Sequence, residues 1–278
     1  MTDYRLKAFQ KASLCRHFEN QVYNLSKSKI IKYPVYLSAG QEYIASSLAA
    51  IYEEFSVEPD IFIQHRGHST YLAFGGDVNL LIKELLGHKD GCANGMGGSA
   101  SIQSKEKNIY GHDGLMGNQI PIAVGSCFAS KKPTIAFVGD SAVEEDYVLS
   151  AIGWAATKKL PILFIVEDNN LSILTEKKVR RSWEIHNVAK GFGVESFDIS
   201  DDPLEIKEHI SQLPIKPLLL NINTVRKYWH AGAGTDGDTF DRYLKEMEAI
   251  GDSAKEIDIK TKADVQLKWE SFISDENS

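Results

Sequence analysis

The chain has 278 residues, of which 43% are hydrophobic and 25% are charged, so it is long enough and apolar enough to bury a large core. Its formal net charge is -7, and Lys and Arg form only short clusters such as Arg180 with Arg181, which argues against a nucleic-acid-binding protein. No apolar stretch approaches the length of a membrane span, and no apolar leader opens the sequence. These features predict a cytoplasmic protein whose partners include neither nucleic acid nor membrane.

The first part of the chain carries apolar residues at mostly helical spacing, which predicts amphipathic helices over residues 6–25, 41–54 and about 78–86. Between residues 91 and 125 the pattern changes, because glycine becomes frequent and long apolar runs are few. Glycine there permits tight turns and close approach of the backbone to a ligand, but a plain surface loop has the same composition. Composition alone leaves both interpretations open.

The second half of the chain alternates short apolar runs with helical patterns. The predicted strands cover residues 134–138, 161–166, 194–197 and 217–222, and the predicted helices cover residues 144–159, 183–191 and 204–213. Continuous apolar strands that flank a helix indicate a parallel sheet covered on both faces. The predicted fold is therefore α/β, with a doubly wound, mainly parallel sheet and helices on both faces. No repeat or linker marks an internal boundary, so we predict one domain over residues 1–250 and a C-terminal tail over residues 251–278.

Two polar clusters follow the two central predicted strands, one at residues 139–142 and the other at residues 167–170. Open α/β sheets bind ligands at the carboxyl ends of their strands, and a crossover helix keeps the two strands parallel. Asp140 and Asn169 are therefore expected to face one crevice, where a carboxylate and an amide oxygen suit Mg²⁺. On these residues alone, a Gly-Asp turn that only caps the next helix is the stronger interpretation.

The flanking motifs change that balance, because together they resemble one known family. Residues 139–145, then Leu160 and Pro161, then residues 166–169 resemble the thiamine diphosphate signature that opens with Gly-Asp-Gly and closes with Asn-Asn. The alpha subunits of 2-oxo acid dehydrogenases contain stretches that resemble, in the same order, residues 38–42, 64–73, 95–99, 114–117 with Pro121, and 224–226 with His230. The resemblance covers roughly residues 10–245, and the ordered set is far more specific than any single motif. It implies the thiamine diphosphate-binding fold for the domain over residues 1–250.

The resemblance implies a metal site in which Asp140 and Asn169 coordinate Mg²⁺ through their side chains and Leu171 through its backbone carbonyl. It places Arg66 and Arg226 on the diphosphate, where a planar fork of donors suits phosphate oxygens. These five residues are the core of the predicted site.

Further residues follow from the same resemblance. Gly114 and Met116 match the backbone positions that hold the aminopyrimidine ring, and His65 stands beside Arg66 where the family often has tyrosine or histidine. The cofactor-binding stretch after the first central strand consists of Gly139, Asp140, Ser141 and Ala142, because helix N-termini present free N–H groups to anions.

His68 and His230 match histidines that line the active site of the family, and they are the predicted catalytic residues. Histidine titrates near neutral pH, which suits proton handling on a 2-oxo acid. For either histidine alone, a structural hydrogen bond is the stronger interpretation, but the pairing of Arg226 with His230 reverses this for His230. His112 and His186 have no such support.

Several positions depart from the pattern of the family. Ser141 stands where glycine is usual, Ser101 where many members have histidine, and Leu171 where tyrosine is common. Residues 231–235 replace the usual serine pattern of the phosphorylation loop. Because only the carbonyl of Leu171 is used, leucine is expected to serve there.

The resemblance implies a thiamine diphosphate- and Mg²⁺-dependent enzyme that decarboxylates a 2-oxo acid, or cleaves an acetoin-like ketone, and passes the acyl group to an acceptor. In the family, a separate beta subunit contributes the glutamate that activates the cofactor, and this sequence has no candidate for it. An alpha2-beta2 assembly is therefore implied, with the glycine-rich region and the helix at Gln41 and Glu42 as its interface, and a lipoyl acyltransferase as a further partner. A transketolase-like half-subunit and a degenerate assembly subunit, marked by Ser141 and Ser101, are the alternatives.

Overall fold

The computed structural model describes residues 2–55, 57–210, 212–228, 230–232 and 240–275. Its strands are β1 (Asp60–Phe62), β2 (Ile109–Tyr110), β3 (Thr134–Gly139), β4 (Ile162–Asp168), β5 (Leu171–Ser172), β6 (Thr175–Glu176), β7 (Glu195–Ser200) and β8 (Leu218–Asn223). Its α-helices are α1 (Thr2–Lys27), α2 (Glu42–Tyr52), α3 (His68–Ala73), α4 (Val78–Leu86), α5 (Gln119–Ser130), α6 (Asp146–Lys158), α7 (Lys177–Arg180), α8 (Ile185–Gly191), α9 (Pro203–His209), α10 (Arg242–Ile250) and α11 (Asp252–Asp275). Short 3-10 helices cover Ala142–Glu144 and His230–Gly232.

A parallel sheet of six strands, in the order β2-β1-β3-β4-β8-β7, forms the centre of the structure. β3 and β4 pair along their whole length, and Gly139 at the end of β3 lies opposite Glu167 near the end of β4. The polar segments that follow these strands therefore begin at the same edge of the sheet. The predicted α/β fold with a parallel sheet is confirmed.

Helices cover both faces of this sheet, and the side chains of its central strands divide between the two faces. Ile135 and Phe137 of β3 belong to the apolar cluster shared with α1 and α2, whereas Ala136 and Val138 belong to the cluster shared with α5 and α6. Successive residues of a strand point to opposite sides. A strand that is covered on both sides favours apolar residues on both faces, which is why residues 135–138 of β3 and residues 162–166 of β4 are unbroken apolar runs.

The helix α5 lies partly inside the glycine-rich region, where composition does not predict a helix. Pro121 occupies its first turn, where the missing N–H of proline breaks no helical hydrogen bond. Ile120, Ala123 and Val124 are buried against the sheet. Tertiary packing of this apolar face therefore stabilises a helix that contains both Pro121 and Gly125.

The helix α9 is shorter than predicted, and the strands β1, β2, β5 and β6 were not predicted. It begins at Pro203, where the Asp202 side chain accepts a hydrogen bond from Leu204 N (3.0 Å), and it ends before Ile210, whose backbone is not helical (φ -127°). β1 and β2 have only three and two residues, which is too short for an apolar period to appear in a sequence.

The prediction that the helix at Gln41 and Glu42 forms part of a subunit interface is wrong. Gln41 is 1% exposed, Glu42 is 0% exposed, and every residue of α2 is buried within this chain. Glu42 forms an ion pair with Arg16 of α1 and accepts a hydrogen bond from Gly40 N (2.5 Å). These side chains have no surface left to offer to another subunit.

The segment after residue 250 forms the long helix α11, which packs along α1. Trp269 is 1% exposed, and its ring lies 5.4 Å from the ring of Phe18 of α1. Val265 and Ala254 are buried in the same cluster. α11 therefore shares the core of the sheet-bearing part, and the division of the chain at residue 250 stays a prediction.

None of the helices in the described ranges is long and apolar enough to cross a membrane. The cytoplasmic location predicted from the sequence stays a prediction. Cys15 and Cys127 are buried, Cys92 is half-buried, and all three are free thiols. Burial raises the pKa of the Cys15 thiol to about 12, which keeps this group protonated and unreactive at neutral pH.

Asp241 joins α10 to α1 and gives a testable contribution to stability. Its carboxylate caps α10 by accepting a hydrogen bond from Tyr243 N (3.1 Å) and receives two hydrogen bonds from Arg16 (2.9 Å each). Burial alone would raise the pKa of Asp241, but Arg16 and Lys227 outweigh burial and lower this pKa to about 2. Because the pKa is lower in the folded state than in the unfolded chain, the stabilisation is present above the unfolded pKa of about 4 and lost as the pH falls through 2.

Replacing Asp241 by asparagine keeps a capping group but removes the charge, and we expect it to lower the free energy of unfolding by about 2 kcal/mol at pH 7. The deficit relative to the parent chain should shrink at pH 3, where the parent carboxylate is losing its advantage. Urea titrations of the parent and of Asp241→Asn at pH 7 and pH 3 measure this difference in the free energy of unfolding. An equal deficit at both pH values contradicts the electrostatic account.

Candidate cofactor and metal site

A cavity of about 290 Å³ lies at the carboxyl edge of the sheet, next to the ends of β3 and β4. This is the edge at which open parallel sheets bind ligands. Of the predicted site residues, the cavity wall contains His65, Arg66, Met116, Gly139, Asp140, Ser141, Asn169, Leu171, Arg226 and His230. Three others do not line it, namely His68, Gly114 and Ala142. The fold therefore brings together residues from segments more than 160 positions apart in the chain.

Asp140 presents one oxygen of its buried carboxylate to this cavity. Arg180 donates to Oδ2 (2.6 Å) and Arg181 donates to the backbone carbonyl, whereas Oδ1 receives no hydrogen bond from the described residues. Burial and the charge of Asp168 raise the pKa of Asp140 to about 6, although Arg180 opposes this shift. A cation bound at Oδ1 would favour the ionised carboxylate.

Asn169 is held in a single orientation. Its Nδ2 donates to Gln41 Oε1 (2.8 Å), and its Oδ1 accepts a hydrogen bond from Leu171 N (3.0 Å). The amide oxygen keeps a second lone pair, and Asp140, Asn169 and Leu171 line the same cavity. One carboxylate, one amide oxygen and one carbonyl form an oxygen donor set that fits Mg²⁺, which commonly takes its remaining ligands from phosphates and water.

Two buried arginines supply positive charge to the cavity. Arg66 is 4% exposed; it donates to the carbonyl of Leu37 (2.8 Å) and lies 3.2 Å from Nδ1 of His230. Arg226 is 2% exposed and donates to the carbonyl of Ile173 (2.7 Å). These bonds fix the direction of both guanidinium groups. Two buried guanidinium groups beside the oxygen donors of Asp140 and Asn169 fit the negative charge of a metal-bound diphosphate.

Ser141 does not strain the turn after β3. Its backbone is in the right-handed helical region (φ -85°, ψ -33°), so no glycine is required at this position. Its side chain lines the cavity, and the 3-10 helix begins at the next residue, Ala142. The departure from glycine therefore changes the wall of the cavity and not the path of the chain.

Gly114, by contrast, occupies a conformation that favours glycine (φ +99°). It lies in an exposed turn two residues before Met116, whose carbonyl accepts a hydrogen bond from the hydroxyl of Tyr147. Met116 is 40% exposed and reaches the cavity from this turn. The predicted aminopyrimidine segment is therefore bonded to α6 through the Met116 carbonyl, and its other side is exposed at the surface.

His65 lies in the cavity wall as part of an aromatic group. Its ring centre lies 5.1 Å from that of Tyr36 and 6.3 Å from that of His230. Burial, followed by the charge of Arg66, lowers the pKa of His65 well below its usual value. The imidazole of His65 is therefore neutral at physiological pH, with one donor and one acceptor nitrogen.

His68 lies behind this wall, with 0% of its surface exposed. Its Nδ1 lies 3.3 Å from the carboxylate of Glu19, and its Nε2 lies 2.9 Å from the hydroxyl of Ser99, which accepts a hydrogen bond from Tyr36 N (2.8 Å). This position suits a residue that holds Tyr36 in place. A direct catalytic role for His68 stays a prediction.

Comparison with known proteins assigns the chain to a family. A family model described as the dehydrogenase E1 component matches residues 10–276. The chain belongs to this family. The resemblance to 2-oxo acid dehydrogenase alpha subunits is thereby confirmed at the level of the family, and the match extends through α11.

Relatives of this E1-family chain include alpha subunits of pyruvate dehydrogenase. The chain is 30% identical over 238 residues to the mitochondrial pyruvate dehydrogenase E1 component subunit alpha-1 of Oryza sativa subsp. japonica, covering 81% of this chain and 60% of the rice protein. It is 28% identical over 242 residues to the corresponding alpha subunit of Rickettsia bellii, covering 81% of this chain and 72% of that protein. This E1-family chain therefore spans well under the full length of these relatives.

Among solved structures, the transketolase of Campylobacter jejuni matches with a TM-score of 0.61 and 16% identity, covering 96% of this chain and 48% of the transketolase chain. A transketolase of Pichia stipitis matches with a TM-score of 0.57 and 16% identity, covering 98% of this chain and 46% of that one. At such identities the likeness concerns the fold alone. It agrees with the parallel sheet described above.

Two contacts in the site of this E1-family chain were not predicted. Gln64 Nε2 donates to Glu167 Oε2, and both side chains line the cavity. Burial raises the pKa of Glu167 to about 7, although Gln64 opposes this shift. Glu167 lies near the end of β4 and belongs to the polar cluster at residues 167–170, so a carboxylate directly after the apolar run was the available signal.

The second contact that was not predicted is the pair of arginines on Asp140. Arg180 also donates to Glu144 (3.0 Å), and Arg181 donates to the same Glu144 oxygen (2.7 Å). In the sequence these arginines are only a short basic cluster. Their contacts with Asp140 depend on α7 lying beside the turn after β3.

Proposed function

We propose that this chain is the cofactor-binding alpha subunit of a thiamine diphosphate- and Mg²⁺-dependent enzyme that decarboxylates a 2-oxo acid and transfers the acyl group to an acceptor. The single cavity that contains the oxygen donors of Asp140 and Asn169 together with Arg66 and Arg226 is the observation that carries this proposal. Membership of the dehydrogenase E1 component family and the alpha-subunit relatives support it.

In this proposal, Asp140 and Asn169 hold Mg²⁺ through their side chains and Leu171 through its carbonyl. Arg66 and Arg226 neutralise the diphosphate, and their bonds to the carbonyls of Leu37 and Ile173 keep the donors in place before the cofactor arrives. Thiamine diphosphate, when bound, supplies a nucleophilic carbon and an electron sink for the decarboxylation. The protein contributes position, charge and proton handling.

The histidines of the cavity are assigned to proton handling on the 2-oxo acid. His65 is neutral, so one of its nitrogens accepts a hydrogen bond and the other donates one. His230 lies beside Arg66 at 3.2 Å, which supports a position next to the diphosphate. Tyr36 packs against both rings and restricts their rotation.

A beta subunit is part of the proposal, because the family takes its activating glutamate from a second chain. Near the predicted aminopyrimidine segment, large apolar side chains are exposed on the surface of α5 and α6 and the turn before them, namely Leu115 (56%), Met116 (40%), Ile122 (47%), Phe128 (43%) and Trp154 (40%). Such an exposed apolar patch is typical of a surface that another chain covers. It supports a partner on this side of the cavity.

The test of the proposal is a release assay for carbon dioxide, run on the chain purified together with its beta subunit. With thiamine diphosphate and Mg²⁺ present, we expect the pair to release carbon dioxide from at least one short-chain 2-oxo acid, and either subunit alone to release none. An artificial electron acceptor in place of a lipoyl carrier avoids the need for an acyltransferase.

Two outcomes would contradict the proposal. Ketol transfer between sugar phosphates without decarboxylation would favour the transketolase-like half-subunit. Failure of the pair to bind thiamine diphosphate with Mg²⁺ in a calorimeter would favour a degenerate assembly subunit.

A further inference from the structure

His112 is a buried histidine that the proposed site leaves without a role. It is 3% exposed, and neither of its ring nitrogens has a hydrogen-bond partner among the described residues. Leaving a buried donor or acceptor unpaired is energetically unfavourable, so native structures rarely do so without a functional reason. The position of His112 supplies one.

His112 lies beside His65, which lines the cavity. The two ring centres are 5.8 Å apart, and their planes form an angle of 55°. A direct N–H···N hydrogen bond between two imidazoles needs a somewhat shorter distance between the ring centres. The difference from the distance observed here is less than about 1 Å. A hydrogen bond between the two rings therefore requires only a small movement of their side chains.

A second unpaired group is close to His112. Gln119, the first residue of α5, donates through Nε2 to the carbonyl of Phe137 (2.8 Å), and this bond leaves its buried Oε1 without a partner. Burial lowers the pKa of His112, while Asp113 and the Gln119 side chain act in the opposite direction. The neutral imidazole thus has one N–H to donate, and Gln119 Oε1 is the acceptor near it.

The backbone directly before His112 packs closely on the segment at residues 101 and 102. A Cβ on Gly111 would lie 2.5 Å from the carbonyl oxygen of Ile102 and 3.3 Å from the carbonyl carbon of Ser101, so residue 111 packs directly on residues 101 and 102.

We propose that His112 is a positioning residue that sets the tautomer of His65, an inference that rests on the proposed function for its catalytic meaning. His112 donates its N–H to Gln119 Oε1 and accepts the N–H of His65 on its other nitrogen. The remaining nitrogen of His65 is then unprotonated, so it is available in the cavity as an acceptor for a proton. The charged groups around the pair are Arg66 and Arg226 on the His65 side and Asp113 on the His112 side, with His230 as the third imidazole.

The direct test is ¹⁵N NMR of the histidine rings in the copurified pair, because nitrogen shifts distinguish the two neutral tautomers. The wild-type complex should show one tautomer of His65, and His112→Phe, which keeps a flat ring without nitrogens, should show a mixture of both. His186→Phe makes the same change in a half-buried histidine outside the cavity and should leave the His65 signals unchanged. A single, unaltered tautomer of His65 in His112→Phe overturns the proposal.

Kinetics provide the second readout. We expect His112→Phe to lower kcat about 10-fold or more with little change in KM, and to leave the affinity for thiamine diphosphate and Mg²⁺ within about 2-fold of the parent. If His112→Phe does not fold, Gln119→Met removes the acceptor of His112 and should mix the His65 tautomers in the same way; an unmixed spectrum there counts equally against the proposal. Because the NMR experiment needs no turnover, its result separates a wrong inference about His112 from a wrong reaction.

Discussion

Replacement of Asn169 by alanine is expected to abolish Mg²⁺-dependent binding of thiamine diphosphate while the fold stays intact. The side-chain oxygen of Asn169 is one of three oxygen donors in the proposed metal site, beside Asp140 and the carbonyl of Leu171. Disturbing even the groups that orient metal ligands costs about 10–100-fold in affinity, so loss of a ligand itself should cost at least about 100-fold. Calorimetry of the copurified pair, with Mg²⁺ and cofactor added together and separately, measures this loss.

The matched control for this variant is Asn223→Ala. Asn223 ends β8 at the same edge of the sheet, but it bonds to Asp198 (2.9 Å) and to the carbonyl of Ile199 (3.1 Å) and does not line the cavity. The Asn223→Ala variant should bind Mg²⁺ and thiamine diphosphate as the parent does. Thermal unfolding should show similar transitions for both variants, and retention of cofactor affinity in Asn169→Ala would count against the metal assignment.

A lysine in place of Arg66 is expected to weaken the binding of thiamine diphosphate about 10–100-fold, although the charge is kept. The guanidinium of Arg66 uses separate nitrogens for Leu37 and His230, and its planar fork matches phosphate oxygens. An ammonium group is a single point charge and cannot make these bonds together. Charge-assisted hydrogen bonds contribute about 1.5–3 kcal/mol each, which corresponds to the expected range.

Arg242→Lys is the control with the same chemical change. Arg242 is 5% exposed, against 4% for Arg66, and it pairs with Asp201 (2.8 Å) and Asp202 (2.9 Å) away from the cavity. The Arg242→Lys variant should have a lower free energy of unfolding but the same affinity for thiamine diphosphate as the parent. Titration of thiamine diphosphate at saturating Mg²⁺ separates the two cases, and equal affinities of Arg66→Lys and the parent would remove Arg66 from the proposed diphosphate site.

The fold was accessible from the sequence wherever local pattern and burial coincide. β3 and β4 are covered on both faces, so their central positions are apolar and the two strands could be recognised from unbroken apolar runs. The parallel crossover between them then required that Asp140 and Asn169 emerge at one edge. α5 could not be recognised in this way, because its proline and its glycine oppose a helix and its packing on the sheet stabilises it.

The sequence by itself indicated β3, β4, β7 and β8 through their apolar runs, and it indicated the family and the residues proposed for the cofactor through ordered motifs that resemble that family. Only the tertiary structure decided that Arg180 supports Asp140, that Glu167 pairs with Gln64, that α2 is interior, and that His68 lies behind the cavity wall. It likewise decided that His112 faces His65. Gln64 and Glu167 are separated by 103 positions, and no local period relates residues so far apart. Their contact arises because β1 and β4 end at the same edge of the sheet, which brings the segment after β1 to the end of β4.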